Sequence, residues 1–225
     1  MNEQERAEEH LKTIRRLMER GTIYRAISAP TALVGGLLSL MASWYYLHWF
    51  NHFGPNDFFS TDQNAFLRLW LVVLVLTAVA NTIFIVTGSK KRGEPVLSAS
   101  MKAAFTALAP AFIAGGVFTF YFVGDGWVPS TDVWLSIGWC VFYGLGLLAT
   151  GHFAPRSLTV LGWAFLIFGI AAFIVFRLTG GMSDVFSHDL TTRPVGAIFM
   201  AVTFGLFHLI YALCAWPRKG AAPEL

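Results

Sequence analysis

Two histidines lie four residues apart in the aromatic run "WYYLHWFNHF" at residues 44–53. On an α-helix, His48 and His52 would lie one above the other on a single face. This spacing suits two ligands of a metal ion, and it also suits one half of a haem site. The same run is typical of an aromatic belt, where Trp and Tyr mark the level at which a helix leaves the membrane. The segment therefore has two interpretations, a ligand pair and an interfacial belt.

Further potential ligands follow in the predicted loops on the same side of the membrane. Mixed His and Asp ligands suit Zn²⁺ and similar divalent ions. The sequence thus leaves open an outer metal site beside the simpler interpretation of a belt with a solvated acidic loop, and no other cofactor is predicted. The candidate ligands are His48, His52, Asp57, Asp62, Asp184, His188 and Asp189.

One histidine, His208, falls inside an apolar segment, about 14 residues from its outer end and so in its inner half. His48 is near the outer side, so the two residues match poorly in depth as axial ligands of one haem. We predict that His208 is neutral and hydrogen-bonded to a neighbouring helix, with a role as axial ligand or proton acceptor as the alternative. Asn81, Thr77 and Thr82 are the other main polar exceptions within the segments.

The elements that must position these residues are long apolar segments. The chain has 225 residues, of which 56% are hydrophobic and 13% charged, whereas a soluble domain is typically about 25% charged. A helix needs roughly 20 apolar residues to cross a bilayer. We therefore predict an all-α membrane protein in which residues 28–217 form a bundle of six transmembrane helices. The predicted helices cover residues 30–50, 66–88, 103–123, 133–151, 158–176 and 195–216.

Polar stretches flank the predicted bundle at both ends of the chain. In residues 1–27, Ala7, Leu11, Ile14 and Met18 recur at helical spacing among charged residues, which predicts an amphipathic cytoplasmic helix. Residues 218–225 form a short cytoplasmic tail.

Basic residues predict the orientation, because cytoplasmic loops carry an excess of Lys and Arg. On the six-helix topology 13 basic residues fall on the side of both termini and 3 on the other. Both termini are therefore predicted to be cytoplasmic. The three outer residues are Arg68, Arg177 and Arg193.

The same charge distribution limits the partners. A basic inner face suits anionic lipid headgroups of the bilayer, and residues 1–27 are a candidate surface for a protein partner. The net charge of +3 is not a nucleic-acid signal, because the charges are split by side.

Small residues recur at every fourth position in the third and fourth segments. Such stripes let helix backbones approach closely within lipid. We predict that both helices pack tightly in the bundle, with a subunit interface as the alternative. The residues are Ala103, Ala107, Ala111 and Gly115 in one stripe and Ser136, Cys140 and Gly144 in the other.

No motif of an enzyme is present: the sequence has no H-E-x-x-H, G-x-S-x-G or P-loop. No Asp, Glu or Lys lies within the six segments, which disfavours a proton-coupled transporter. We predict a non-enzymatic protein that acts as a sensor, regulator or assembly subunit. The alternatives are a channel or facilitator for a neutral or apolar solute and, third, a metal- or haem-binding protein.

The junction "LMERGTIYRAISAPTALVGG", residues 17–36, is the most distinctive stretch. It resembles the start of a group of small, uncharacterised bacterial inner-membrane proteins with six helices. The resemblance covers 20 of the 225 residues. It implies the same architecture and a bacterial inner-membrane location, and it implies no activity.

Overall fold

A computed structural model describes residues 29–53, 64–93, 99–124, 131–151, 154–178 and 193–216, together with the isolated residues Glu8 and Leu11. All regular structure in these ranges is helical. The last helix is continuous but changes type, from α-helix α6 to π-helix π1 and then to α-helix α7. The elements are α1 (Ala29–Phe53), α2 (Ala65–Arg92), α3 (Ala99–Gly124), α4 (Thr131–Ala149), α5 (Arg156–Leu178), α6 (Arg193–Met200), π1 (Ala201–Phe207) and α7 (His208–Cys214).

The helical, membrane-type architecture predicted from composition is confirmed. Five helices are long and apolar enough to cross a membrane: Ala65–Lys91, Met101–Phe122, Thr131–Ala149, Arg156–Leu178 and Val195–Cys214. Helix α1 has 25 residues but is not among the five, because Gly, Ser, Tyr, Trp and His interrupt its apolar residues. That α1 also spans the membrane stays a prediction. The predicted N-terminal helix lies outside the described residues except for Glu8 and Leu11, which are helical and exposed.

Consecutive helices run antiparallel. Along α1 and α2, Thr31 is bonded to Asn81 near one end, and the rings of Tyr46 and Phe66 are 5.5 Å apart near the other. Helices α3 and α4 are also antiparallel, as are α4 and α5, because residues later in one helix contact residues earlier in the next. The bundle therefore has two ends. We call the end that carries Lys90, Lys91, Lys102 and Arg156 the basic end, and the other the opposite end.

The centre of the bundle consists of α1, the last helix and α4. Helix α1 packs along the whole last helix, and α4 packs on α6. Among the described helices, α2 makes its extensive contacts with α1 alone and α3 with α4 alone, while α5 packs mainly on α4. Helices α2 and α3 are thus peripheral, each held along one side.

Glycines set the closest approaches between helices. A Cβ on Gly144 would lie 2.8 Å from the backbone nitrogen of Leu166 and 2.9 Å from the carbonyl oxygen of Gly162. A Cβ on Gly36 of α1 would lie 3.0 Å from the carbonyl oxygen of Gly205 in π1. Small residues at these crossings let backbones touch, which gives helices in lipid their dispersion contacts.

The two predicted stripes of small residues face different neighbours. On α3, Ala111 and Gly115 face Gly146 and Phe142 of α4, and Ala103 and Ala107 are half-buried. The α4 stripe does not face α3. Ser136 donates to the carbonyl oxygen of Gly196 in α6, and Cys140 donates to that of Phe165 in α5, the helix that Gly144 also contacts. The reason is that α4 is central and uses separate faces for α3, α5 and α6.

Candidate functional site

A polar pair lies inside the bundle, where α4 meets α7. The Oη atom of Tyr143 is 2.8 Å from Nε2 of His208. Tyr143 precedes the end of α4 by six residues and His208 precedes the end of α7 by six residues, which is about 9 Å along each axis. The two side chains therefore lie at the same level, nearer the basic end. The predicted hydrogen bond from His208 to a neighbouring helix is present.

Aromatic rings surround this pair. The ring of Phe165 from α5 is 4.8 Å from that of Tyr143 and 5.5 Å from that of His208. Phe204 of π1 stacks on His208 with a centroid distance of 6.0 Å and is 5.2 Å from Tyr143. Phe165 is fully buried. The hydrogen bond is therefore made in an apolar environment, where an unpaired polar group is costly.

The stretch of the last helix immediately before His208 is π-helical. π-Helices are rare, occur mostly as single turns and are common at functional sites. Nδ1 of His208 has no hydrogen-bond partner among the described residues. The hydroxyl of Tyr143 donates to Nε2 when the ring proton is on Nδ1, and it accepts from Nε2 when the proton is there.

The geometry of His208 suits a structural contact better than haem ligation. A haem iron binds a histidine ring nitrogen that faces an open site. Here Nε2 is occupied by Tyr143, and the rings of Phe165 and Phe204 enclose the imidazole. The hydrogen bond between Tyr143 and His208 joins α4 to α7 and fixes their register, so the role that this arrangement supports is structural.

A second polar contact joins α1 and α2. Thr31 Oγ1 donates to Asn81 Oδ1 at 3.1 Å. One turn earlier in α2, the methyl of Thr77 lies 3.1 Å from the Cβ position of Gly35. Thr82 lies on the exposed side and donates to the carbonyl oxygen of Ala78 in its own helix. Of these polar residues, Asn81 and Thr77 therefore face α1 and Thr82 does not.

Sequence patterns did not indicate the contact at the opposite end. Tyr46 donates to Asp132 Oδ2 at 3.3 Å, which joins α1 to the first turn of α4. Asp132 is also placed favourably for the positive end of the α4 dipole. The signal that could have found it is an acid directly before a predicted span, facing an interfacial tyrosine.

The predicted outer metal site is only partly within the described residues. His48 is exposed and stacks on Trp44, with ring centroids 5.2 Å apart, as an aromatic belt would arrange it. Helix α1 continues through His52, whose side chain is outside the description, as are all atoms of Asp57, Asp62, Asp184, His188 and Asp189. The described part of the chain contains no group of three or more metal-binding side chains. The outer metal site stays a prediction. Elemental analysis tests it by comparing the metal content of the purified wild-type protein with that of the His48→Ala variant.

No protein-family model, curated protein or solved structure matches this chain.

Proposed function

We propose that the chain is a non-enzymatic, multi-pass protein of the bacterial inner membrane and that it acts as an assembly subunit. The observation that carries the proposal is the packing of α3. None of its described side chains is buried within the chain, although α3 is 26 residues long. Ile113, Val117 and Phe120 are 66%, 66% and 77% exposed. Helix α3 thus offers a full-length apolar face beyond its contact with α4.

This face has a shape that suits helix packing. A Cβ on Gly116 would meet nothing within 4 Å, and Ala109 is exposed one heptad earlier. Small residues at such positions let a neighbouring helix approach closely. Sensor and regulator roles stay within the proposal, because both act through a partner, and residues 1–27 are a second candidate surface for one.

We place both termini in the cytoplasm. The basic end carries Lys90, Lys91, Lys102 and Arg156, and the positive-inside rule puts this end at the inner face. There it would contact anionic lipid headgroups.

The test compares two neighbouring glycines of α3. Gly116→Leu changes the exposed face, whereas Gly115→Leu collides with Phe142 and disturbs the α3–α4 contact. In mild detergent, wild-type protein from its native membrane should elute as a complex larger than the monomer. Gly116→Leu should elute as a folded monomer of unchanged thermal stability, and Gly115→Leu should lose stability. A wild-type protein that is monomeric in several mild detergents would contradict the proposal.

The second candidate is a channel or facilitator for a neutral solute. Polar groups along the contact of α1 and α2, namely Thr31, Asn81 and Thr77, support it. Vesicles with the reconstituted protein should then swell faster in glycerol than empty vesicles. Asn81→Leu should abolish this gain, and Thr82→Val, on the exposed side of α2, should preserve it. Equal swelling with and without protein would exclude this candidate.

A further inference from the structure

The side chain of Asn81 makes fewer hydrogen bonds than its amide allows. Its Oδ1 accepts a hydrogen bond from Thr31 Oγ1 at 3.1 Å, which is the one hydrogen bond of this side chain among the described residues. The amide nitrogen Nδ2 carries two N–H donors, and neither has an acceptor in the described part of the chain. The side chain is half-buried, and Nδ2 is not enclosed as Thr77 Oγ1 is. An unused donor therefore lies at the edge of the contact between α1 and α2.

This donor lies at the depth of the hydrocarbon. Helix α2 has 28 residues, about 42 Å, so its middle lies between Ala78 and Val79. Asn81 is about 4 Å from this middle along the axis, well within a hydrocarbon core about 30 Å thick. Water and headgroups supply no acceptor at this depth, and an unpaired amide in hydrocarbon costs free energy. A transmembrane segment of a neighbouring molecule can bring an acceptor to this level.

The side of α2 that carries Asn81 has the residue spacing of a helix–helix contact. Alternating steps of four and three residues connect seven positions on it, which is the pattern along which two helices pack side by side. None of the seven residues is buried within the chain, and Leu71 and Leu74 are 47% and 52% exposed. Small residues at two of the positions let a second backbone approach. We call this set the α2 seam, and it consists of Leu67, Leu71, Leu74, Ala78, Asn81, Ile85 and Gly88.

The self-complementarity of Asn81 favours a second copy of this chain as the neighbouring molecule. Two copies enter the membrane in the same direction, so a two-fold axis along the membrane normal makes their α2 helices parallel. Each position of the α2 seam then meets itself, and Asn81 lies opposite Asn81. An amide is both donor and acceptor, so each Nδ2 can donate to the Oδ1 of the other copy. A carbonyl oxygen has two lone pairs, so Oδ1 keeps its hydrogen bond from Thr31.

We propose that two copies of this chain associate in the bilayer through the α2 seam, with reciprocal hydrogen bonds between their Asn81 side chains near the membrane centre. The apolar positions supply dispersion contacts above and below the amide pair, and a single Asn in such a seam fixes the register of the two helices. Helix α2 is available because, among the described helices, it packs extensively on α1 alone.

The α2 seam is separate from the exposed face of α3, so the α3 face stays available for a different partner. One pair of helices is a small interface, and the hydrogen bonds between transmembrane helices are individually modest. Extraction into detergent is therefore expected to dissociate this pair, and the association is a property of the bilayer. For this reason it is measured in vesicles.

The first test is disulfide cross-linking in phosphatidylcholine vesicles that contain the purified full-length protein and no other protein. Cys214→Ser first removes the exposed native cysteine, while the other native cysteine is buried. Leu74→Cys and Ala78→Cys then place a thiol on the α2 seam, whereas Leu76→Cys and Ile83→Cys place one on the opposite, equally exposed side of α2. Oxidation should join the two seam variants as dimers and leave the other two monomeric, because a disulfide needs Cβ atoms about 4 Å apart.

The second test measures affinity in the same vesicles, by energy transfer between labelled copies as lipid dilutes them. Asn81→Leu keeps the seam apolar but removes the amide pair, and it should weaken the association about tenfold, which is about 1.4 kcal/mol. Thr31→Val removes the partner of Asn81 within the chain and leaves the amide on the seam, so it should not weaken the association. Thr87→Val, on the exposed side away from the seam, should have no effect either.

Cross-linking that is absent from the seam variants, or equal on both sides of α2, would overturn the proposal, and this result depends on no variant of Asn81. Equal affinity of wild type and Asn81→Leu would overturn it as well. Gly116→Leu, which changes the α3 face, should cross-link through the α2 seam as the wild type does. If the seam variants stayed monomeric while a larger complex eluted from native membranes, the α2 pairing would be refuted and the assembly role of α3 would stand.

Discussion

The contact between α4 and α5 at Gly144 leads to a quantitative prediction for Gly144→Ala. The new Cβ would lie 2.8 Å from the nitrogen of Leu166 and 2.9 Å from the oxygen of Gly162. Both atoms belong to the α5 backbone, so no side-chain rotation relieves the overlap. The helices must separate by about 0.5–1 Å, and a gap of this size forfeits a quarter to a half of each dispersion contact.

The expected loss follows from the number of contacts that weaken. If about 40 atom pairs lie at this crossing, each contributing about 0.15 kcal/mol, the separation costs about 1.5–3 kcal/mol. This agrees with the range for overpacked cores. Gly116→Ala is the matched control, because its Cβ would meet nothing within 4 Å. Alanine also favours the helix by up to about 1 kcal/mol over glycine, so the control should be neutral or more stable.

Unfolding by SDS in mixed micelles, followed by circular dichroism, measures the free energies of both variants. Gly144→Ala gains the same helix preference, so it should be less stable than wild type by about 0.5–2 kcal/mol, with an unchanged native spectrum. If both variants were equally stable, the backbone contact of α4 and α5 would not limit the packing, and the reasoning would be refuted.

Three further predictions concern the polar pair, the topology and the N-terminus. Tyr143→Phe should destabilise the bundle by about 1–2 kcal/mol because His208 loses its partner, and adding His208→Phe should recover part of this loss, as a double-mutant cycle in mixed micelles will show. Reporter fusions at Gly93 and Gly151 should report the cytoplasm and a fusion at Gly124 the outside; an outside signal from Gly93, beside Lys90 and Lys91, would contradict the orientation. Deletion of residues 2–19 should leave a bundle that inserts and is monodisperse in detergent, whereas degradation or aggregation of this variant would show that the segment packs as part of the structure.

Long apolar runs were sufficient to predict the helices and their approximate ends. In lipid, backbone polar groups must be satisfied within the segment, so an apolar run of this length becomes a helix. The observed α2, Ala65–Arg92, exceeds the predicted 66–88 by four residues at its C-terminal end. There Gly93, with a φ of 66°, ends the helix beyond the apolar run. Ser89 through Arg92 are polar, and hydropathy alone could not include them.

Part of the candidate site was also predictable. A histidine in an apolar segment needs a partner, so His208 was expected to bond to another helix. The partner itself was not predictable, because Tyr143 is one of several polar-tipped aromatic residues and interfacial belts account for most of them.

The sequence by itself determined the elements, the membrane-type architecture and the uneven distribution of basic residues. The tertiary structure decided which face of each helix points inward: the α4 stripe toward α5 and α6, Asn81 toward α1, and Gly116 toward the outside. The physical reason is that side chains facing lipid and side chains facing protein are equally apolar in a membrane. The helical period of hydrophobicity, which identifies the buried face in water, carries little information about it here.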